Sequence, residues 1–269
     1  MTPISLPPLG LGTWQLKGAA CERAVRSALE MGYTLADTAQ MYGNEKQVGE
    51  GLRAASVDRD DVVVATKLSP LRMKAKNVRP SARKSLQRLG LDRVDLLYVH
   101  WPAFKYNART TLPQMAKMVE EGSVGAVCVS NFTPPLLDEA INVLEEWGQV
   151  LGAHQVEFHP LLRQEEMRRY LKERGIPLVA YSPLGRGLAL KLPEVLEVAK
   201  ARGIGPAQVV LAWERAHGAI PIPKATSDSH LKTNLASVEV ELTTEEVAKI
   251  DGVVEQRRFI NPPFVRPNW

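Results

Sequence analysis

The 269 residues are 45% hydrophobic, 24% charged and 6% aromatic, a balance that excludes a disordered chain and suits one barrel-sized domain or two smaller ones. The net charge of +4 comes from basic residues interleaved with acids, in no run longer than pairs such as Arg168-Arg169 and Arg257-Arg258, which fits an anionic small molecule and does not point to nucleic acid. No apolar stretch approaches the roughly twenty residues that span a bilayer, residues 1–8 carry no basic segment leading into an apolar one, and Cys21 and Cys128 sit far apart in apolar-periodic segments, so a cytoplasmic chain without disulfides is expected.

In chain order, apolar runs of strand length fall at 9–12, 35–36, 62–65, 94–99, 124–129, 153–158, 177–181 and 219–222. Stretches of helical period lie between and after them, at 21–31, 45–53, 79–89, 112–121, 134–147, 164–174, 193–201 and 229–235. A further helix, 206–217, opens on Pro206 before the last strand. Gly32, Gly90, Gly122 and Gly175 each follow a helical stretch, where a left-handed residue ends a helix at least cost. The strands are too uniformly apolar to keep one wet face, so they read as parallel and covered on both sides. Eight such units predict a closed (β/α)8 TIM barrel, α/β in class, as one domain over 1–269; an open doubly wound sheet shares the alternation and stays the alternative. Gly10-Leu11-Gly12 mimics the start of a dinucleotide fingerprint, but no third glycine follows and Trp14 stands where a phosphate loop would open into its helix.

In a barrel, residues at the C-terminal strand ends converge on one mouth. Here those positions hold Asp37, Lys67, His100, Ser130 with Asn131, Gln155 with Glu157, Tyr181 and Lys224, with Tyr42 one short loop beyond Asp37. Any one of them could be a cap or a packing residue; together they form an acid and an electrostatic clamp. A phenol near an ammonium that is itself near a carboxylate is expected to have its pKa lowered towards working pH, so Tyr42 could donate a proton while His100 orients a carbonyl oxygen. No nucleophile with a base, no paired carboxylates and no metal-ligand spacing appear; His154 and His159, five apart on a strand, would face opposite ways, so no metal is expected. The other rim groups read as the seat of a cofactor.

These residues lie in ordered signatures: Gly10-Leu11-Gly12-Thr13-Trp14, the run from Gly32 to Glu45, Thr66-Lys67, His100-Trp101-Pro102, Val129-Ser130-Asn131-Phe132, Gln155-Val156-Glu157, Tyr181-Ser182-Pro183-Leu184 and Ile222-Pro223-Lys224. Over essentially the whole chain the series resembles the aldo-keto reductases, most of all the bacterial 2,5-diketo-D-gluconate reductase group, whose members also reduce methylglyoxal and other small aldehydes. The resemblance implies a barrel without a full N-terminal hairpin and an oxidoreductase that transfers hydride from NADPH to a carbonyl. It implies a tetrad of Asp37, Tyr42, Lys67 and His100, with Tyr42 as general acid. For the cofactor it implies Ser130, Asn131 and Gln155 on the carboxamide, Tyr181 stacked on the nicotinamide, Thr13 and Asp37 near its ribose, and Ser182 with Leu184 near the pyrophosphate. Trp14 and Trp101, with Tyr42 and His100, would wall the substrate, and Trp269 is a further candidate.

At the adenosine end the chain departs from the pattern. Lys224 remains and Asn234 matches the adenine contact, but Ala225 and His230 stand where the family often has a serine and an arginine for the 2′-phosphate. An imidazole, with an ordinary pKa of about 6.5, is mostly neutral at neutral pH, whereas a guanidinium is always charged. NADP(H) preference with some NAD(H) use is therefore expected, with NADPH affinity improving as pH falls. Cys128 replaces a usual glycine and His154 a usual asparagine, without touching the tetrad. The short loop 103–111 and short tail suit small polar carbonyl compounds. A monomer is expected, and a non-catalytic nicotinamide-nucleotide-sensing subunit on the same fold is the alternative function.

Overall fold

Residues 5–267 are described in a computed structural model of the chain, in which eight parallel strands pair in chain order. They are β1 (Leu11–Gly12), β2 (Leu35–Asp37), β3 (Val63–Leu68), β4 (Val94–Val99), β5 (Val124–Ser130), β6 (Leu151–Glu157), β7 (Leu178–Tyr181) and β8 (Ala219–Pro221). The ring closes between the last strand and the first: Gly10 N–H donates to the Pro221 carbonyl at 3.0 Å and Gly12 N–H to the Pro223 carbonyl at 3.1 Å. A closed barrel replaces the open-sheet alternative, and no described strand precedes Leu11. The same contact explains the glycine pair that mimics a phosphate loop. A Cβ at Gly12 would overlap the Ile222 carbonyl oxygen, and one at Gly10 would press on the Leu35 side chain, so β8 approaches β1 only where side chains are missing.

The helices are α1 (Gly18–Glu30), α2 (Glu45–Ala54), α3 (Ala75–Leu89), α4 (Ala108–Glu120), α5 (Pro134–Glu146), α6 (Glu165–Glu173), α7 (Pro193–Arg202), α8 (Pro206–Ala216), α9 (Asp228–Ala236) and α10 (Thr244–Asp251). α3 and α4 begin about a turn before the predicted starts, because Pro80 and Pro113 lie inside them and not at their first turns. One missing N–H is outweighed by what the extra turns bury: Val78 in α3, and in α4 Ala108 and Thr111, whose hydroxyl donates to the Met73 carbonyl at 2.8 Å. α10 was not predicted. It opens on a capping box in which Thr243 N–H donates to Glu246 Oε2 at 2.8 Å and Glu246 N–H to Thr243 Oγ1 at 3.3 Å.

Two cores result. Inside the barrel pack Leu35, Ala65, Leu96, Tyr98, Cys128, Ala153, Val179 and Ile222; between barrel and helices lies the larger shell. Cys128 fills interior volume opposite Gly152, where a Cβ would crowd its Sγ at 3.1 Å, and burial holds its thiol well above the ordinary range. His154 is equally structural: its Nε2 accepts from Phe132 N–H at 3.1 Å, and burial lowers its pKa to about 3.

One group in the shell works against stability. Glu214 on α8 is fully buried, and neither carboxyl oxygen finds a hydrogen-bond partner among the described residues. Burial raises its pKa well above the usual carboxyl value, so at neutral pH folding must take up a proton there. The penalty is absent below the unfolded carboxyl pKa and grows as pH rises from it towards the folded value. Glu214→Leu is therefore expected to stabilise the protein by about 1–3 kcal/mol at neutral pH. Denaturant unfolding against pH should show the gain shrinking towards pH of about 4.

Candidate active site

The barrel delivers to one mouth Asp37 at the end of β2, Lys67 near the end of β3, His100 just after β4, Ser130 ending β5 and Tyr181 ending β7. Lys67 is completely buried, with its Nζ paired to Asp37 Oδ1 and donating to the Thr38 carbonyl at 3.1 Å. The other Asp37 oxygen accepts from Gln155 Nε2 at 2.9 Å, and the Asp37 carbonyl accepts from Thr13 Oγ1 at 2.9 Å. A buried ion pair with its remaining lone pairs filled is rigid and expensive to break.

Tyr42 sits above this pair on a short 3₁₀ turn, Gln40–Tyr42. Two amides fix the turn. Gln40 Oε1 accepts from Ser69 N–H at 2.9 Å while its Nε2 reaches Ser85 Oγ at 2.9 Å. Asn44 Oδ1 accepts from Thr38 Oγ1 at 2.8 Å, and its Nδ2 donates to the Thr13 and Leu16 carbonyls at 2.8 and 3.1 Å. The Tyr42 ring meets His100 edge-on with centroids 5.7 Å apart, and Lys67 Nζ lies 5.2 Å from the centre of the same ring.

The electrostatics correct one expectation. The phenol of Tyr42 is held well above its ordinary pKa, by burial first and then by the negative charge of Asp37. The ammonium paired with Asp37 does not offset this rise, in which burial comes first and Asp37 adds to it. Burial likewise lowers the Lys67 pKa against the pull of Asp37, and burial with the nearby Lys67 charge holds His100 well below the usual imidazole value. Tyr42 is therefore a protonated phenol and His100 a neutral imidazole at neutral pH.

These groups open into a cleft of about 630 Å³. Of the residues singled out in the sequence, Thr13, Trp14, Asp37, Tyr42, His100, Trp101, Asn131, Gln155, Tyr181, Ser182, Leu184 and Lys224 line it. Lys67 and Ser130 lie buried behind the wall, Ser130 donating to the Gln155 carbonyl at 2.8 Å. His230, exposed near the N-terminus of α9, and Asn234, buried on the same helix, are not brought into the cleft. Trp269 lies outside the described residues. The sequence reading missed Gln15, Arg186 and the tail residues Ile260, Pro262 and Val265, all of which line the cleft. The tail thus contributes part of the cleft wall through Ile260, Pro262 and Val265.

Backbone strain gathers here. Of six non-glycine residues with positive φ among the described residues, Gln15, Asn131, Ser182 and Arg186 line the cleft. Such conformations cost roughly 1 kcal/mol or more each and persist where the surroundings impose them. At Asn131, φ 64°, the imposing contacts are visible: Nδ2 donates to the His100 carbonyl at 3.0 Å and Oδ1 accepts from Tyr181 O–H at 2.8 Å.

The donor set fits a nicotinamide nucleotide. An aromatic ring at Tyr181, bonded to the Asn131 amide, shares the cleft lining with the amide of Gln155 and the ammonium of Lys224. Those amides now hydrogen-bond Tyr181 and Asp37, so a ligand carboxamide would have to compete for them.

Comparison with known proteins agrees with this geometry. The profile of the Aldo/keto reductase family matches residues 8–255. An aldo-keto reductase of Mycolicibacterium vanbaalenii is 38% identical over 96% of this chain and 92% of its own length. Methylglyoxal reductase DkgB of Escherichia coli O157:H7 is 31% identical over 99% of this chain and its entire length. Among solved structures, one provisionally named 2,5-diketo-D-gluconic acid reductase B superposes with a TM-score of 0.93 at 30% identity, over 98% of this chain and 94% of that one. With the barrel closed, the buried pair beneath a tyrosine and a histidine at its mouth, and these relatives spanning its length, the chain belongs to the aldo/keto reductase family and is an oxidoreductase.

Proposed function

We propose that the cleft reduces small polar aldehydes and ketones, such as methylglyoxal or 2,5-diketo-D-gluconate, to alcohols with NADPH, Tyr42 acting as general acid. The observation that carries this reading is the stack of Tyr42 and His100 over the buried Asp37–Lys67 pair. When bound, the nicotinamide supplies the hydride. Everything else falls to the chain. The raised pKa of Tyr42 keeps its O–H in place as a proton donor to the carbonyl oxygen as that oxygen gains negative charge. The phenolate left behind is stabilised by the ammonium of Lys67, so the pair serves the acid after the transfer and not before it. A neutral His100 can donate one N–H to the same oxygen and hold the carbonyl in line without adding a charge. Trp14 and Trp101 wall the substrate and exclude water.

For the cofactor, the reading places Ser130, Asn131 and Gln155 on the carboxamide, Tyr181 on the ring, Thr13 and Asp37 by the ribose, and Ser182 with Leu184 by the pyrophosphate. Lys224 and His230 would meet the 2′-phosphate and Asn234 the adenine. With His230 in place of a guanidinium, NADPH is favoured only moderately over NADH. His230→Arg is expected to raise the ratio of kcat/KM for NADPH over NADH by about tenfold, the worth of one charge-assisted contact near 1.4 kcal/mol. Initial rates with each reduced nucleotide, wild type against variant, check it; an unchanged ratio would remove His230 from the phosphate site.

A further inference from the structure

The carboxylate of Glu157 lies outside the proposed proton-donating machinery. It ends β6 fully buried, and it is filled from an unexpected direction. Oε1 accepts from the backbone N–H of Phe259 at 2.8 Å and Oε2 from that of Ile260 at 2.9 Å, two consecutive amides of the C-terminal tail. His159 Nε2 sits 3.0 Å from Oε1, and its ring packs on Phe259 with centroids 5.3 Å apart. Hydrogen bonds to an ionised acceptor are about twice as strong as neutral ones, and two on one carboxylate fix direction as well as distance. Immediately beyond this point, Ile260, Pro262 and Val265 line the cleft.

We infer that Glu157 is a positioning residue that latches the C-terminal tail to the barrel mouth and thereby sets the apolar wall that the carbonyl substrate meets. Upstream, the tail has its own ties: Arg257 N–H donates to the Leu161 carbonyl at 2.6 Å, and Arg163 N–H meets Gln256 Oε1 at 3.3 Å. These hold the strap as far as residue 257. At residues 259 and 260, where the strap turns into the wall, the Glu157 carboxylate takes both backbone N–H groups, while the Phe259 ring rests on His159 and under the Arg257 guanidinium, 5.1 Å from its centre. Gly185, in the loop after β7, faces the latch: a Cβ added there would stand 3.5 Å from the Phe259 ring and 3.7 Å from that of His159.

Two measurements test the latch, the kinetic one resting on the reductase reading and the exchange one independent of it. In the wild-type chain the amides of Phe259 and Ile260 should exchange with deuterium at least about 10²-fold more slowly than unstructured backbone. Exchange at the unstructured rate would overturn the proposal, whether or not any carbonyl is reduced. Glu157→Gln keeps the shape but loses one acceptor, and it should raise KM for the carbonyl about tenfold, with kcat and cofactor Kd within about threefold. Ile260→Ala should raise the same KM, and the double variant should be no worse than the more affected single variant, because both act through one wall. An unmoved KM, a loss confined to kcat, or effects that multiply would each overturn it.

Discussion

Replacing Tyr42 by phenylalanine is expected to lower kcat for carbonyl reduction by about 10²-fold or more, while cofactor affinity stays within about threefold. The substitution removes one oxygen from a ring whose packing against His100 and Lys67 is otherwise kept. The turn that carries it is fixed by Gln40 and Asn44, not by the phenol, so the fold should be untouched. The raised pKa of Tyr42 adds a sign to this prediction. A donor that stays protonated through neutral pH gives a reduction rate that is flat there and falls only in alkali. Steady-state rates against pH for the wild type, with Tyr42→Phe as the reference, would check both parts.

Lys67→Met should have the second large effect, and on two observables. Loss of the ammonium removes the charge that stabilises the tyrosinate, so turnover should drop by about 10²-fold or more. It also leaves Asp37 buried with Gln155 Nε2 as its remaining side-chain partner, and breaking a buried pair from one side costs about 3–5 kcal/mol. Denaturant unfolding should show that loss. Adding Asp37→Asn should return much of the stability, since no buried charge then stands alone, and should return none of the activity. Activity that recovered along with stability would mean that the pair serves the fold only.

Much of this site was legible in the residues, for a physical reason. A parallel barrel buries both faces of its strands, so the strand interiors read as apolar runs, and polar groups at their C-terminal ends stand out against them. Asp37, Lys67, His100 and Gln155 were visible in this way. What was hidden depends on distant contacts. The strained backbone at Asn131 is held by His100 and Tyr181, far away in sequence, and cleft residues such as Gln15 or Arg186 carry no sign in their residue type of a left-handed conformation. The pKa of Tyr42 was misjudged because the field of the neighbouring ion pair was weighed and the burial of the phenol, the larger influence, was not. α10 escaped because Ile250 is its one buried residue, leaving little apolar periodicity, although Thr243 and Glu246 spelled its capping box. Tail residues 260–265 carry no local sign that they line the cleft, and the Ile260 backbone is held by Glu157, about a hundred residues earlier.

The most direct measurement is the rate at which the purified chain oxidises NADPH when offered a panel of small carbonyls, methylglyoxal and keto sugar acids included. Carbonyl reduction in this cleft predicts turnover with several of them, a lower but measurable rate with NADH, and loss of both rates in Tyr42→Phe. Tight binding of NADPH with no oxidation on any carbonyl would contradict it, and would make the barrel a sensor of nicotinamide nucleotides instead of a reductase.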